Sequence, residues 1–258
     1  MARATVTDHI HTETSMTHKN NFFDIHSHIL FDIDDGPKEL LESLCLLDVE
    51  KKLGARAVAV TPHFYANQMD LEEFFKVSNQ CFNALVAACD NEKPKLILGC
   101  EVCYFRNISK AEAIADLTYG NSKYMLLEMV SPISDTAIEE VKELYYAYGL
   151  KPILAHLERY HKKDGYKGLL KLIEDGFVKA QVNASSFADK AKRKEALNLI
   201  KNGYADFLAS DTHSVKLRPP QFENAFEIIK KQLGEDALQK LIQNSQKLYC
   251  EITGEEWE

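Results

Sequence analysis

The amino-acid sequence predicts one α/β domain in which parallel strands alternate with helices and close into a barrel. Three observations carry that prediction. Short apolar runs alternate with segments of helical period about seven times along the chain. Nearly every apolar run ends in a His, Asp or Glu. The length of 258 residues suffices for one barrel of ordinary size and not for two. Alternation of this kind builds parallel βαβ units, and closure gathers the carboxyl end of every strand on one face.

The elements follow in order. Residues 1–21 are polar and read as a flexible N-terminal extension, and residues 22–258 as the domain. Phe22-Phe23 opens the first strand, which runs into Asp24-Ile25-His26-Ser27-His28. Residues two apart on a strand share a face, so His26 and His28 can converge on one metal ion. The similar His9-Ile10-His11 has no strand before it. After Asp34-Asp35-Gly36-Pro37, the segment Lys38 to Leu53 places Leu40, Leu41, Leu44, Leu47 and Val49 near helical period, and Gly54 ends it. Ala57 to Thr61 is a strand that delivers Pro62-His63, and a helix follows from Asp70 to about Asp90. Lys95 to Gly99 delivers Cys100-Glu101, and Tyr124 to Leu127 delivers Glu128. A helix from about Ser134 to Tyr148 leads to the strand Lys151 to Ala155, which delivers His156 and then Arg159. Lys167 to Asp175 is helical, Phe177 to Val182 is a strand ending at Asn183, and Lys190 to Lys201 is helical. Asp206 to Ser210 delivers Asp211-Thr212-His213, and Arg218-Pro219-Pro220 precedes two closing helices.

His26, His28, Asp35, His63, Glu101, Glu128, His156, Asp211 and His213 therefore fall on one face. Each alone has an ordinary structural role open to it. Together they place several buried ionisable groups side by side, which is costly unless the groups are paired or hold metal. Imidazole suits divalent transition metals, and the nearby Asp34 and Asp35 supply the hard oxygen ligands that manganese and similar ions accept. Of the nine histidines, only His9, His11, His18 and His161 lie outside the pattern.

A formal net charge of -8 argues against a general affinity for nucleic acid or anionic lipid. No apolar run approaches the roughly 20 residues that cross a bilayer, so no membrane insertion is expected. The first residues lack the apolar core of a secretory signal, and the six cysteines lack the paired spacing of a secreted scaffold. A reduced, cytoplasmic setting is the expectation.

The motifs Asp24-Ile25-His26-Ser27-His28-Ile29-Leu30, Asp34-Asp35-Gly36, Thr61-Pro62-His63, Ala155-His156-Leu157-Glu158-Arg159-Tyr160 and Ser210-Asp211-Thr212-His213 together resemble the polymerase and histidinol phosphatase (PHP) superfamily. More narrowly, the Asp-Asp-Gly-Pro, His-Leu-Glu-Arg-Tyr and Arg-Pro-Pro elements resemble its bacterial manganese-dependent protein-tyrosine phosphatases of capsule and exopolysaccharide clusters. The resemblance runs from about Phe22 to the closing helices. It implies a distorted (β/α)7 barrel of the PHP fold holding three divalent ions, manganese first, with iron, zinc, cobalt or magnesium as alternatives. By the same resemblance His26, His28, Glu101 and Asp211 hold the first ion. Glu101 bridges to a second held also by Glu128 and His156, and Asp35, His63 and His213 take the third. The implied partner is a phosphotyrosine protein, a bacterial tyrosine kinase, and a homo-oligomer is open to the chain.

Divalent cations a few ångströms apart acidify a bridging water, and phosphoryl transfer also needs positive groups around the developing charge. Arg159 and Arg218 are the candidates, because a guanidinium matches phosphate oxygens with paired donors. A phenolate leaving group needs less protonation than an alkoxide, which suits phosphotyrosine. Cys100 and Arg106 have the Cys-x5-Arg spacing of thiolate phosphatases, but the residues between them contain no glycine and include Glu101, which repels phosphate and raises the thiol pKa. The alternatives to a tyrosine phosphatase are a small-molecule phosphatase of the histidinol phosphatase kind, since fold does not choose the substrate, and a non-catalytic PHP binding module.

Overall fold

The computed structural model describes residues 21–111 and 113–257. The extension expected over residues 1–21, with His9, His11 and His18, lies outside the described residues except for Asn21. The strands are β1 (Phe22–Ser27), β2 (Ala55–Val60), β3 (His63–Phe64), β4 (Lys95–Leu98), β5 (Glu101–Cys103), β6 (Tyr124–Glu128), β7 (Lys151–Leu154), β8 (Lys179–Asn183) and β9 (Phe207–Ala209). The helices are α1 (Leu40–Leu53), α2 (Leu71–Ala88), α3 (Asp135–Tyr148), α4 (Tyr166–Glu174), α5 (Lys190–Lys201), α6 (Phe222–Leu233) and α7 (Glu235–Thr253).

All strand pairs are parallel, in the orders β1-β2-β4 and β3-β5-β6-β7-β8-β9. Two of the expected strands, seen as β2 and β4, are each followed after a break by a short further strand, β3 and β5, in the segments expected only to deliver His63 and Glu101. Pro62 has no N–H for the ladder, so β2 stops before it and β3 resumes at His63. The path from β4 to β5 breaks likewise at Gly99-Cys100. Hydrogen bonds carry the sheet across both breaks: Thr61 N donates to Ser27 O (2.8 Å), Gly99 N to Val60 O (3.0 Å) and Glu101 N to Pro62 O (3.0 Å). With β2 and β3 taken as one path, and β4 and β5 as another, the nine strands occupy seven positions. A bridge between Ser27 and Thr212 joins β1 to the exit of β9.

Residues alternate between two cores. Phe23, Ile25, Ala57, Ala59, Ile97, Leu126, Ile153 and Phe207 fill the barrel, and Leu248 and Tyr249 of α7 pack with them. Phe22, Val58, Val60, Leu127, Leu154 and Val182 face the helices. Side-chain oxygens of Asp70, Ser134 and Asp189 cap α2, α3 and α5. No helix among the described residues is long and apolar enough to cross a membrane.

Candidate metal centre

A bulge in β1 sets the first two histidines. Asp24 pairs with Val58 and Ser27 with Val60, so three steps on β1 face two on β2 and one residue is extra. Simple alternation would have left His26 on the helix-facing side with Phe22. The bulge instead turns it to the barrel mouth, where its Nε2 lies 3.1 Å from His28 Nε2.

Glu101, at the start of β5, is the centre of the cluster. Its Oε2 lies 3.3 Å from His26 Nε2, 3.2 Å from His28 Nε2 and 3.0 Å from His63 Nδ1, while its Oε1 lies 3.0 Å from His156 Nε2. His156 Nε2 is also 3.2 Å from Glu128 Oε1. Asp211 Oδ1 lies 3.7 Å from His26 and 3.6 Å from His28, and 3.6 Å from His213 Nδ1. His213 Nε2 is 3.1 Å from Asp35 Oδ1, and His63 Nε2 is 3.8 Å from the same oxygen. All nine candidate ligands are thus in one connected cluster. Among the described residues, three sets bring ligand atoms within 4.8 Å of one another: His28, Asp35, His63 and His213; His26, His28 and Asp211; and His63, Glu101 and Glu128.

Beneath these residues lies a supporting layer; Asp34, expected from the sequence to supply an oxygen ligand with Asp35, instead binds a histidine and two backbone amides here. Asp34 Oδ2 meets His28 Nδ1 at 2.7 Å and accepts from His63 N at 3.1 Å, while its Oδ1 accepts from Gly36 N at 2.9 Å. A carboxylate on one imidazole nitrogen fixes the tautomer and leaves the other free to ligate. Gly36 is required here, because a Cβ at that position would stand 2.2 Å from His28 O. Asp24 accepts from Ser210 N (3.0 Å) and Ser210 Oγ (2.5 Å), tying β1 to the turn that carries Asp211. Asn183 ends β8 and donates through Nδ2 to Asp211 Oδ2 at 2.6 Å, and is itself held by Gln181 Nε2 on its Oδ1 at 2.7 Å. His156 and Asp211 have φ of 35° and 50°. Left-handed backbone is costly for such residues and concentrates at functional sites.

The electrostatics suit a cationic occupant. Among the described residues, Asp35, Glu101, Glu128 and Asp211 share two guanidinium groups at the cluster, Arg159 and Arg218, which leaves an excess of negative charge before any histidine takes a proton. Burial alone would lower the His28 pKa, but hydrogen bonds to Asp34 and Glu101 outweigh it and raise the value to about 10. His156 likewise, with burial opposed by Glu101 and Glu128, rises to about 9. Burial and His28 hold His213 down at about 4. Burial works against ionised Glu101, yet His26, His156 and His28 keep its carboxyl well below the usual range. Protons thus gather where divalent cations would displace them, and His26 Nδ1 and His156 Nδ1 have no hydrogen-bond partner among the described residues.

Both arginines reach the cluster. Arg159, on the turn after β7, pairs with Asp211 Oδ2, and Arg218 spans Asp211 Oδ1 (3.1 Å) and Asp35 Oδ2 (3.3 Å). Cys100 is buried and Arg106 exposed, and burial, with Glu101 beside it, pushes the Cys100 thiol far up. A separate cavity of about 500 Å³ at the amino ends of β2 and β4 is lined by Lys51, Arg56, Lys95 and Trp257 and by none of the nine candidate ligands.

Comparison with known proteins agrees with this architecture. The model of the family described as "Capsular polysaccharide synthesis, CpsB/CapC" matches residues 22–249. The tyrosine-protein phosphatase CpsB of Streptococcus agalactiae serotype III is 31% identical over 235 residues, covering 87% of this chain and 97% of that protein. The tyrosine-protein phosphatase YwqE of Bacillus subtilis is 27% identical over 234 residues, covering 87% and 90%. A crystal structure from work on YwqE of Bacillus subtilis and CpsB of Streptococcus pneumoniae, metal-dependent tyrosine phosphatases, superposes with a TM-score of 0.77 at 23% identity, over 89% of this chain and 94% of that one. With the barrel matched over nearly its whole length and the sequence matched from Phe22 to Tyr249, the chain belongs to the CpsB/CapC family of capsular polysaccharide synthesis.

Proposed function

We propose that this chain is a metal-dependent protein-tyrosine phosphatase. Its proposed substrate is a phosphotyrosine protein, a bacterial tyrosine kinase, met in the cytoplasm. The observation that carries the reading is Glu101, a buried carboxylate with one oxygen against three histidines and the other against a fourth. A single side chain so placed can serve two ions at once.

In this reading His26, His28, Glu101 and Asp211 would hold one ion, Glu101, Glu128 and His156 a second, and Asp35, His63 and His213 a third, with manganese as the ion put forward. Divalent ions, when bound, supply a water acidified toward neutral pH and positive charge beside the phosphoryl oxygens. The chain's own residues do the remainder. Asp34 and Asn183 orient His28 and Asp211. Arg159 and Arg218, whose side chains are 37% and 43% exposed, are free to turn from buried Asp211 toward a phosphate that enters from solvent. Their paired N–H groups then match the equatorial oxygens as charge builds. A tyrosine leaves as a phenolate, of parent pKa about 10, and needs little help from a general acid.

The test is phosphate release from a phosphotyrosine peptide by metal-stripped protein with and without added manganese, beside histidinol phosphate as comparison. Manganese-dependent release from the peptide is the expected result. Release from histidinol phosphate alone would move the substrate to a small molecule and overturn the reading.

A further inference from the structure

A cavity of about 460 Å³ opens beside the cluster, between the 32–35 loop and the first turns of α2. Its lining includes Asp35 and His63, both members of the set that they form with His28 and His213. A phosphoryl group held at the cluster therefore has this cavity as its neighbour. The walls are mixed: Ile33, Phe64, Met69, Phe74 and Val77 supply an apolar side, and Asp34 and Gln68 add polar groups. Tyr65 stands between the cluster and the cavity, its ring centroid 5.0 Å from that of His63 at an interplanar angle of 33°. Ser78 also lines it, with a buried hydroxyl that has no partner among the described residues. No lysine or arginine lines the cavity, and Asp32 and Asp35 stand exposed at its rim.

We propose that this cavity is the leaving-group subsite, which takes the uncharged aromatic ring carrying the scissile phosphate; the inference rests on the phosphatase reading above. A space of about 150 Å³ is enough for benzene, so the cavity accommodates a tyrosine ring with room for part of the peptide backbone. Its apolar side, Ile33, Phe64, Met69, Phe74 and Val77, gives that ring a favourable contact out of water, and the polar side leaves room for the peptide groups that accompany it. The aspartates at the rim repel a carboxylated leaving group and leave a neutral one unopposed.

The experiment uses manganese-loaded full-length protein with phenyl phosphate as substrate and inorganic phosphate as competitive inhibitor. Phosphate reads only the phosphoryl site, whereas phenyl phosphate reads both. Val77→Phe fills the cavity from α2 without touching a candidate ligand. It should raise KM for phenyl phosphate at least about tenfold and leave the inhibition constant of phosphate unchanged. Met69→Ala, which removes a wall, should raise KM severalfold with the same split and serves if Val77→Phe does not fold. An unchanged KM in a folded variant, or a parallel change in both constants, overturns the subsite. If wild-type protein releases no phosphate from phenyl phosphate or a phosphotyrosine peptide, the phosphatase reading fails and the subsite with it. Failure in the variants alone removes only the subsite.

Discussion

Replacing Asn183 with Ala removes a side chain that touches none of the imidazoles and yet should weaken metal binding. The wild-type amide donates at 2.6 Å to Asp211 Oδ2, and Gln181 holds it in place at 2.7 Å. A hydrogen bond to a charged group contributes about 1.5–3 kcal/mol, and about 1.4 kcal/mol corresponds to tenfold in an equilibrium constant. With Asn183 gone, Asp211 keeps Arg159 on Oδ2 and Arg218 on Oδ1, but both are partly exposed side chains that hold its orientation less firmly than the buried amide anchored by Gln181. The expected loss is about 10- to 100-fold in affinity for the ion that Asp211 helps hold. The Gln181 amide, left buried without its acceptor, should also lower fold stability by about 1–3 kcal/mol. Calorimetric titration of metal-stripped protein with manganese measures the first effect, and thermal unfolding the second. A folded variant with wild-type manganese affinity would refute the claim that Asn183 positions Asp211.

Four further outcomes are expected. Gly36→Ala drives a Cβ to 2.2 Å from His28 O and should lower the melting temperature and the manganese content together; normal values for both would show that the loop relaxes without cost. Glu50 is fully buried beside Asp24. Burial and then Asp24 raise its pKa well above the usual range, and burial raises Asp24 to about 6. Carboxyls with raised folded-state pKa values contribute stability below the unfolded value near 4 and lose it as pH climbs through the folded value. Glu50→Gln should therefore raise the melting temperature more at pH 8 than at pH 5, and an equal shift at both would contradict the assignment. Cys100→Ser should keep most activity, because the thiol is buried and protonated; abolished turnover with metal still bound would revive a thiolate mechanism. Finally, a phosphotyrosine peptide flanked by glutamates should have a several-fold lower kcat/KM than one flanked by alanines, the difference shrinking in salt. Equal rates at low ionic strength would mean that Asp32 and Asp35 do not face the peptide.

The parts of the account legible in sequence are those with a local signal. Each strand exit could be read because an apolar run stops at a polar residue, and that alone placed His63, Glu101, Glu128, His156 and Asp211 on one face. The breaks at Pro62 and Gly99-Cys100 were less visible, since lateral hydrogen bonds from neighbouring strands keep each path continuous. The bulge in β1 had no signature either. Alternation correctly allowed His26 and His28 to converge, but it is the extra residue that turns His26 from the helices to the mouth. Adjacent Asp34 and Asp35 look alike in sequence. In the fold Asp34 is bound to His28 and two backbone amides, while Asp35 stays exposed beside His213. Asn183 meets Asp211 across 28 residues and Asp24 meets Ser210 across 186, contacts for which no periodicity or spacing gives a sign.

The most direct test of the central claim, that nine side chains form one multinuclear metal centre, is anomalous diffraction from a crystal of the manganese-loaded protein. The account predicts anomalous peaks enclosed by His26, His28, Asp35, His63, Glu101, Glu128, His156, Asp211 and His213, with Glu101 touching two of them. Active, manganese-loaded protein whose anomalous peaks lie elsewhere, or whose Glu101 contacts no ion, would contradict it.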